Sequence, residues 1–238
     1  MWRDVVDIRD FYATGLGQVA RQMIWAGLRG LWPNVTGLSV LGLGYAIPYL
    51  DPLRKEAACT LAVMPASQGT LPWPPRGPGL TALAAEFALP FPDLSLDRVL
   101  LVHGLEFGDQ VRPMLREIWR VLGDGGRLLV VVPNRRGIWA RMERTPFGHG
   151  SPYTASQLSR LLRDNMFTPV ETRRALSMPP TSSKLLLRST AVWEKVGLRW
   201  FPGFAGILLM EASKQIYAVT PATPQRRKAY APVSDSVS

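Results

Sequence analysis

Three short groups of residues have types that could do chemistry. Gly42 and Gly44 frame a turn, and glycine lets a ligand approach the backbone closely because it has no side chain. His103 is one of two histidines, and an imidazole can take or give a proton near neutral pH. A third group could bind an anion: Arg135, Arg136, Arg141, Arg144 and His149. Each group also has a structural explanation, because a Gly-x-Gly turn is common and a solvated loop accounts for the arginines equally well.

The hydrophobic pattern predicts strands that end just before these groups. Apolar runs at 38–41, 58–64, 99–102 and 128–132 are typical of strands buried on both faces, as in parallel sheets. Between the last two runs, apolar residues repeat at helical spacing from Val111 to Leu122, and glycines then end the helix. A strand–helix–strand unit forms a right-handed parallel crossover. The sequence therefore predicts an α/β protein with a doubly wound, mostly parallel sheet and helices on both faces.

In an open parallel sheet, ligands bind beyond the carboxyl ends of the strands, where the strand order reverses. We expect the residues that directly follow the predicted strands to surround one ligand site. They are Gly42, Gly44, Tyr45 and Ala46 after the first strand, Met64 after the second, Glu86 and Phe87 after the third, His103, Gly104 and Glu106 after the fourth, and Asn134, Arg135 and Arg136 after the fifth.

The composition excludes several classes of protein. The single cysteine, Cys59, cannot form an internal disulfide, and with two histidines it cannot assemble a structural zinc cluster. The sequence contains no run of about 18 apolar residues, which a membrane-spanning helix would need. The acidic Asp4 comes early, and no apolar segment of a secretion signal follows it. We expect a cytoplasmic protein without a metal ion.

The positive charge lies entirely in the second half of the chain. The formal net charge is +10, and residues 1–134 hold 12 basic and 12 acidic side chains, whereas residues 135–238 hold 16 and 6. This asymmetry predicts an anionic partner for the second half. Arginine outnumbers lysine by 23 to 5, which favours bidentate contacts to phosphate or carboxylate groups, although codon composition produces the same excess.

The sequence predicts one domain, residues 1–220, followed by a tail. Residues 1–34 have helical hydrophobic spacing, whereas residues 65–79 are rich in proline and glycine and predict a long irregular loop. Further strands are expected at 170–175 and from 206–210 toward Val219, and helices at 155–165 and 193–200. Residues 221–238 have little apolar content and are expected to be disordered.

The segment from Gly37 to Val132 resembles a known family. Its marks are Ala-Glu-Phe-Ala-Leu-Pro-Phe-Pro-Asp at 85–93, Leu-Asp-Arg-Val-Leu at 96–100, Val-His-Gly-Leu-Glu at 102–106 and Gly-Gly-Arg-Leu at 125–128. Together they resemble the class I S-adenosylmethionine-dependent methyltransferases of the type 11 kind. The resemblance implies a seven-stranded sheet whose last strand is antiparallel. It also implies S-adenosylmethionine as a cofactor lying across the ends of the first strands, and a helical lid formed by residues 1–34.

The resemblance further implies roles for the residues at the strand ends. The cofactor would be bound by Gly42, Gly44, Tyr45, Ala46, Met64, Glu86, Phe87 and His103. The methyl acceptor would face His103 and a loop that carries Arg135, Arg136, Arg144 and His149. His103 could act as a base for the acceptor or make a local structural hydrogen bond. Asp97 and Glu117 are expected to be structural.

The sequence departs from the family at its acidic positions. Gly42 stands where the family has an acid in the first strand, and Met64 stands where it has the acid that binds the cofactor ribose. Ala85 replaces the acid near the adenine, with Glu86 one position further. A charge-assisted hydrogen bond contributes about 1.5–3 kcal/mol, so losing the ribose acid alone predicts a loss of about tenfold or more in cofactor affinity. Glu86, Tyr45 or the proline-rich loop could compensate.

Three functions are compatible with these residues. The first is methyl transfer to an unidentified acceptor, a reaction that needs alignment and desolvation more than a dedicated catalytic side chain. The second is a non-catalytic protein of the same fold that binds a partner through its basic half, which the missing acids favour. The third is a nicotinamide dehydrogenase, but the third glycine and the ribose acid of that fingerprint are absent. The sequence favours the first.

Overall fold

The computed structural model describes residues 4–178 and 205–216. Its sheet has seven strands: β1 (Ser39–Gly44), β2 (Cys59–Pro65), β3 (Thr81–Ala84), β4 (Leu96–Val102), β5 (Leu122–Pro133), β6 (Phe167–Ala175) and β7 (Ile207–Lys214). The α-helices within the described residues are α1 (Val5–Ala13), α2 (Gly15–Leu31), α3 (Ile47–Leu53), α4 (Val111–Val121) and α5 (Ala155–Asp164).

The strand order is β3-β2-β1-β4-β5-β7-β6. Strands β1 to β5 pair in parallel, whereas β7 runs antiparallel between β5 and β6. The prediction of a doubly wound, mostly parallel sheet with an antiparallel last strand is confirmed. The strand order reverses between β1 and β4, so the carboxyl ends of these two strands form the switch point at which such sheets bind ligands.

Helices cover both faces of the sheet because the central strands are apolar on both sides. Helices α1, α2 and α3 share one apolar cluster with Val40, Met64 and Val102. Helices α4 and α5 share a second cluster with residues of the opposite strand face, such as Leu41 and Val130. Alternate residues of a strand point to opposite faces, which explains why continuous apolar runs form these strands.

The two amino-terminal helices are defined by their caps. The Asp4 carboxylate accepts a hydrogen bond from the backbone of Val6, and the Thr14 hydroxyl accepts one from Gly17. Thr14 therefore both ends α1 and begins α2. The buried face of α1 is Val5, Ile8, Phe11 and Tyr12, as its helical spacing predicts. This face carries Tyr12 to the ligand-binding edge of the sheet.

The segment between β2 and β3 contains neither helix nor strand, which confirms the predicted irregular loop. The predicted helix at 193–200, the continuation of β7 to Val219 and the predicted disorder of 221–238 lie outside the described residues. No helix in the described ranges has the length and apolar character needed to cross a membrane.

Candidate functional site

The turn after β1 fits tightly against the turn after β4. Gly44 has φ +77°, a conformation that favours glycine, and a Cβ at this position would collide with the carbonyl oxygen of Val102. Such a Cβ would also lie 3.1 Å from the backbone nitrogen of Gly104. A side chain at residue 44 would therefore push the two turns apart.

Gly42 has a different structural reason. A Cβ at Gly42 would lie 2.6 Å from Cδ1 of Leu50 and 2.7 Å from Cβ of Ala46. Helix α3 therefore packs directly on the strand, and an acidic side chain at this position has no room. Ala46 precedes α3 and is fully buried. Gly42 and Ala46 therefore take part in the packing of α3 beneath the ligand-binding edge. The resemblance predicts instead that they bind the cofactor.

The end of β2 is apolar and covered. Met64 is fully buried, and its sulfur accepts a hydrogen bond from the backbone nitrogen of Leu71 at 3.4 Å. The side chain of Gln68, from the same proline-rich loop, donates to the carbonyl oxygen of His103 at 2.5 Å. The loop thus reaches from β2 across to the turn after β4.

Glu86 and Phe87 follow β3 and have opposite environments. Glu86 is only 8% exposed, and within the described residues its carboxylate has no hydrogen-bond or ion-pair partner. Phe87 is 43% exposed. A carboxylate without a protein partner can accept hydrogen bonds from a ligand, so Glu86 is available for a ligand that donates them.

Four buried side chains form a continuous hydrogen-bonded chain at the switch point, here called the His103 chain: Glu106, His103, Tyr12 and Tyr49. His103 Nδ1 lies 3.1 Å from Glu106 Oε1, and His103 Nε2 lies 2.9 Å from the Tyr12 hydroxyl. The hydroxyls of Tyr12 and Tyr49 are 3.0 Å apart. His103 itself has φ +51°, which is uncommon for a residue with a side chain and fixes the ring direction.

Burial keeps the tyrosines of this site protonated. It raises the pKa of Tyr12 well above its ordinary value, with smaller contributions from Tyr49, Tyr45 and Glu106. Burial also raises the pKa of Tyr49, and it raises that of Tyr45 to about 12. Tyr12 must therefore act as a hydroxyl, and the hydrogen-bond network assigns a consistent direction: Tyr49 donates to Tyr12, Tyr12 donates to Nε2, and Nδ1–H donates to Glu106.

One oxygen of the His103 chain is unsatisfied. Glu106 Oε2 is buried and has no hydrogen-bond partner within residues 4–178 and 205–216. Most buried polar atoms have a partner, and exceptions occur at sites that change state or bind a ligand. Glu106 Oε2 can therefore accept a further hydrogen bond.

The loop between β5 and α5 packs against the His103 chain. The backbone nitrogen of Ser151 donates to the carbonyl oxygen of Glu106 at 2.8 Å. The ring of Phe147 lies 5.1 Å from the His103 ring, centroid to centroid, and 5.8 Å from the Phe11 ring. The predicted acceptor loop therefore adjoins His103 through its apolar side.

The basic residues of this loop are at its surface. Arg135, Arg136 and Arg144 are exposed, and Arg135 Nε donates to the carbonyl oxygen of Pro152 at 3.1 Å. His149 is partly exposed, and its Nε2 lies 2.5 Å from the carbonyl oxygen of Glu143. Arg135 and His149 contact backbone carbonyls of their own loop, so the role of the four side chains in binding an acceptor stays a prediction.

Sequence reasoning missed Tyr12 and Tyr49. Helical spacing indicates that Tyr12 is buried but not which residue it meets, and Tyr49 lies on α3, a helix that the apolar pattern does not reveal. Glu106 was selected only by its position after β4, and the spacing of three residues from His103 was the available signal for a contact.

Comparison with known proteins agrees with this geometry. Residues 65–130 match the family model described as a methyltransferase domain. An uncharacterised protein of Mycobacterium tuberculosis (strain ATCC 25618 / H37Rv) is 32% identical over 108 residues, which are 42% of this chain and 38% of that protein. The demethylmenaquinone methyltransferase of Thermus thermophilus is 29% identical over 150 residues, which are 62% of this chain and 57% of that enzyme. The alignments thus span less than two thirds of these relatives.

Solved structures share the fold over most of the chain. A methyltransferase of Thermotoga maritima, described as a possible histamine N-methyltransferase, has a TM-score of 0.62 and 15% identity, covering 90% of this chain and 97% of its own. The 1,6-didemethyltoxoflavin-N1-methyltransferase of Burkholderia thailandensis, solved with its substrate and S-adenosylhomocysteine, has a TM-score of 0.55 and 17% identity, covering 87% and 82%. At these identities the likeness establishes the fold.

Proposed function

We propose that the chain is a class I S-adenosylmethionine-dependent methyltransferase, which its fold and its matching central segment support, and that it transfers a methyl group to an acceptor bound at the switch point. S-adenosylmethionine is the cofactor of this family. The observation that carries the proposal is the carboxylate of Glu86, which follows β3 at the ligand-binding edge and has no partner among the residues that the structure describes. The single cysteine fits action in the reducing cytoplasm.

The residues of the edge fit the nucleoside part of the cofactor in a rearranged form. Glu86 would accept hydrogen bonds from the nucleoside in place of the family acids at Met64 and Ala85. Met64 is covered by the proline-rich loop and would line the site only if that loop moved, whereas the Gly44 turn would let the ligand approach the backbone. When bound, the cofactor supplies an electrophilic methyl group on a sulfonium.

The protein's own contribution to the reaction is alignment and the exclusion of water. Tyr12 and Tyr45 are almost fully buried, with ring centroids 5.8 Å apart, so they keep water from the switch point. Because Tyr12 belongs to α1, binding requires this helix to shift, as a lid does. His103 would face the acceptor, and Arg135, Arg136, Arg144 and His149 would attract an anionic acceptor to the mouth of the site.

A second candidate is a non-catalytic protein of the same fold that acts as a binding partner. Two observations favour it: the ribose acid is replaced by a fully buried Met64, and the Tyr12 ring lies where the switch point would open. Such a protein would fold normally, bind no cofactor, and associate with an anionic partner in a way that weakens steeply with salt.

Titration calorimetry with S-adenosylhomocysteine separates the two candidates. We expect heat of binding for the native chain, and an affinity about tenfold lower for Glu86→Gln, because one charge-assisted hydrogen bond is lost. Asp124→Asn, an exposed carboxylate near the opposite end of the sheet, is the matched control and should bind normally. The absence of heat at millimolar ligand would overturn the enzymatic proposal. Native mass spectrometry of freshly purified protein provides a second measurement, since a co-purifying cofactor mass favours the enzyme.

A further inference from the structure

We propose that Tyr12 stands in for the methyl acceptor in this closed structure, that His103 oriented by Glu106 is the base that removes the acceptor's proton, and that the acceptor is therefore an aromatic hydroxyl compound. This inference rests on the proposed methyl transfer and names the substrate class of the same site.

The position of the Tyr12 hydroxyl is that of a substrate on a general base. Its oxygen lies 2.9 Å from His103 Nε2, within the distance at which a base takes a proton from a bound hydroxyl. The opposite ring nitrogen is held by Glu106 at 3.1 Å, which leaves Nε2 as the accepting atom. A phenol is thus already seated on an oriented imidazole.

The walls around the Tyr12 ring suit another aromatic ring. Tyr45 lies 5.8 Å from it and Tyr49 lies 6.2 Å from it, centroid to centroid, the latter edge to face. His103 is 5.8 Å away, also edge to face. These separations are those of favourable ring pairs. If α1 withdraws, the space that Tyr12 leaves has the size and lining for a phenol.

The proposal requires helix α1, which carries Tyr12, to move away from the switch point. Helix α1 has nine residues, and its first residue is joined to the proline-rich loop by the hydrogen bond from Val5 N to Gln68 O. Isolated helices of this length are marginal, so the position of α1 depends on what its apolar face contacts. A bound aromatic acceptor would replace the contacts of Tyr12 with equivalent ones.

Glu106 supplies the charge that the base needs. When His103 takes a proton it becomes an imidazolium, and the adjacent carboxylate, with Oε2 buried and unpaired, stabilises that charge. Glu106 is therefore a positioning residue that acts through His103. In the transfer, the acceptor oxygen forms a bond to the methyl carbon, the carbon–sulfur electron pair stays on sulfur, and the phenolic proton goes to Nε2 and then to solvent.

The test uses 4-nitrophenol, whose anion has a visible absorption band, added to the full chain saturated with S-adenosylhomocysteine. At a pH below the probe's own pKa, we expect binding to increase the anion band in the native chain. His103→Gln should lose the increase, and Glu106→Gln should reduce the bound anion fraction about tenfold, because a charge-assisted hydrogen bond is lost. Cyclohexanol, which has the size but not the aromatic hydroxyl, should not displace the probe.

Two tyrosine variants make the test specific. Tyr12→Phe should bind the probe about fivefold more tightly, since the hydroxyl that competes for Nε2 is absent. Tyr153→Phe removes the hydroxyl of a partly buried tyrosine outside the His103 chain, and it should change the affinity less than about twofold. If both variants behave alike, Tyr12 does not stand in for the acceptor.

The failure of the inference and that of the proposed function are distinguishable. If S-adenosylhomocysteine does not bind, methyl transfer and the inference both fall. If it binds but the probe does not, or if the anion band is the same in the native chain and in His103→Gln, only the inference falls. Should His103→Gln fail to fold, Glu106→Gln carries the same prediction and the same refuting outcome.

Discussion

Two polar networks lie near opposite ends of β4, and they are built differently. The His103 chain follows the end of the strand. The Arg120 network, made of Arg120, Glu117 and Asp93, lies near the start, where the backbone nitrogen of Leu94 donates to the carbonyl oxygen of Arg120. Both contain carboxylates held by a basic side chain, yet only one has the properties of a site.

The Arg120 network is saturated. Both carboxylate oxygens of Glu117 accept hydrogen bonds from Arg120, at 2.8 and 2.9 Å, and Oε2 also accepts one from the backbone of Leu89. Arg120 further donates to Asp93 and to the carbonyl oxygens of Leu89 and Phe91. Through these contacts the network fixes the segment between β3 and β4 to helix α4, and both oxygens of Glu117 are occupied.

The His103 chain joins distant parts of the sequence and is not saturated. Tyr12, Tyr49 and His103 come from α1, α3 and the turn after β4, and Glu106 keeps one buried oxygen without a partner. Completing the arrangement requires either another donor or a change of state. The two networks differ in their carboxylates: both oxygens of Glu117 are bonded, whereas among the described residues one buried oxygen of Glu106 is not.

Alkali should break the His103 chain first, and this is the largest effect that we expect. The pKa values of Tyr12, Tyr45 and Tyr49 are raised in the folded chain, so each stabilises it below the ordinary value of 10.0 and loses that contribution as the pH rises toward the folded pKa. Each buried tyrosine costs about 1.4 kcal/mol per pH unit above 10, so the free energy of unfolding should fall by about 4 kcal/mol near pH 11.

Urea unfolding at about pH 9 and about pH 11 measures this loss. Tyr49→Phe removes one of the three ionisable hydroxyls and should reduce the alkaline loss by about 1.4 kcal/mol. If the native chain and the variant lost the same free energy of unfolding in alkali, the tyrosines of the site would be open to water. The two networks would then not differ in the way described above.

Removing Arg120, the centre of the Arg120 network, should lower the free energy of unfolding by less than alkali does. This loss should not depend on pH near neutrality. Arg120→Met deletes the donor to Glu117, Asp93 and two backbone carbonyls, and we expect the free energy of unfolding to fall by about 2 kcal/mol after allowance for its partial exposure. Arg116→Met, on the exposed face of the same helix, is the control and should change stability by less than about 0.5 kcal/mol. S-adenosylhomocysteine binding should be unchanged in both variants, and a loss of binding in Arg120→Met alone would show that the two networks are coupled.

Much of the fold could be predicted from the sequence because its signals are local. Continuous apolar runs gave β4 and β5, helical spacing gave α4, and proline content gave the irregular segment after β2. The structural roles expected for Asp97 and Glu117 are confirmed, since Asp97 accepts a hydrogen bond from the backbone of Ser39 at the start of β1 and Glu117 holds Leu89.

The site was less predictable because its contacts are distant in sequence. Tyr12 and His103 are 91 residues apart, and periodicity indicates only that Tyr12 is buried. Gly42 has the residue type expected in a ligand-binding turn. The structure requires a glycine there because α3 packs closely on the strand, and the apolar pattern did not reveal this helix. Local rules predict which residues reach the edge, whereas tertiary packing decides which of them meet.

Acid should weaken the Arg120 network, and this is the smallest effect that we expect. The hydrogen bonds from Arg120, chiefly, hold the pKa of Glu117 below its ordinary value of 4.5, against the opposing effect of burial. A lowered folded pKa gives stability that is present above the unfolded value and is lost as the pH falls through the folded one. The native chain should therefore be more stable than Glu117→Gln at neutral pH by at most about 1 kcal/mol, because the pair is partly solvated. In urea unfolding, this difference should shrink below about pH 4.5, where the protonated glutamate comes to resemble the amide. If the difference in free energy of unfolding stayed constant down to about pH 3, the charge of Glu117 would contribute nothing to stability. Ion pairing could then not be what distinguishes this network from the His103 chain.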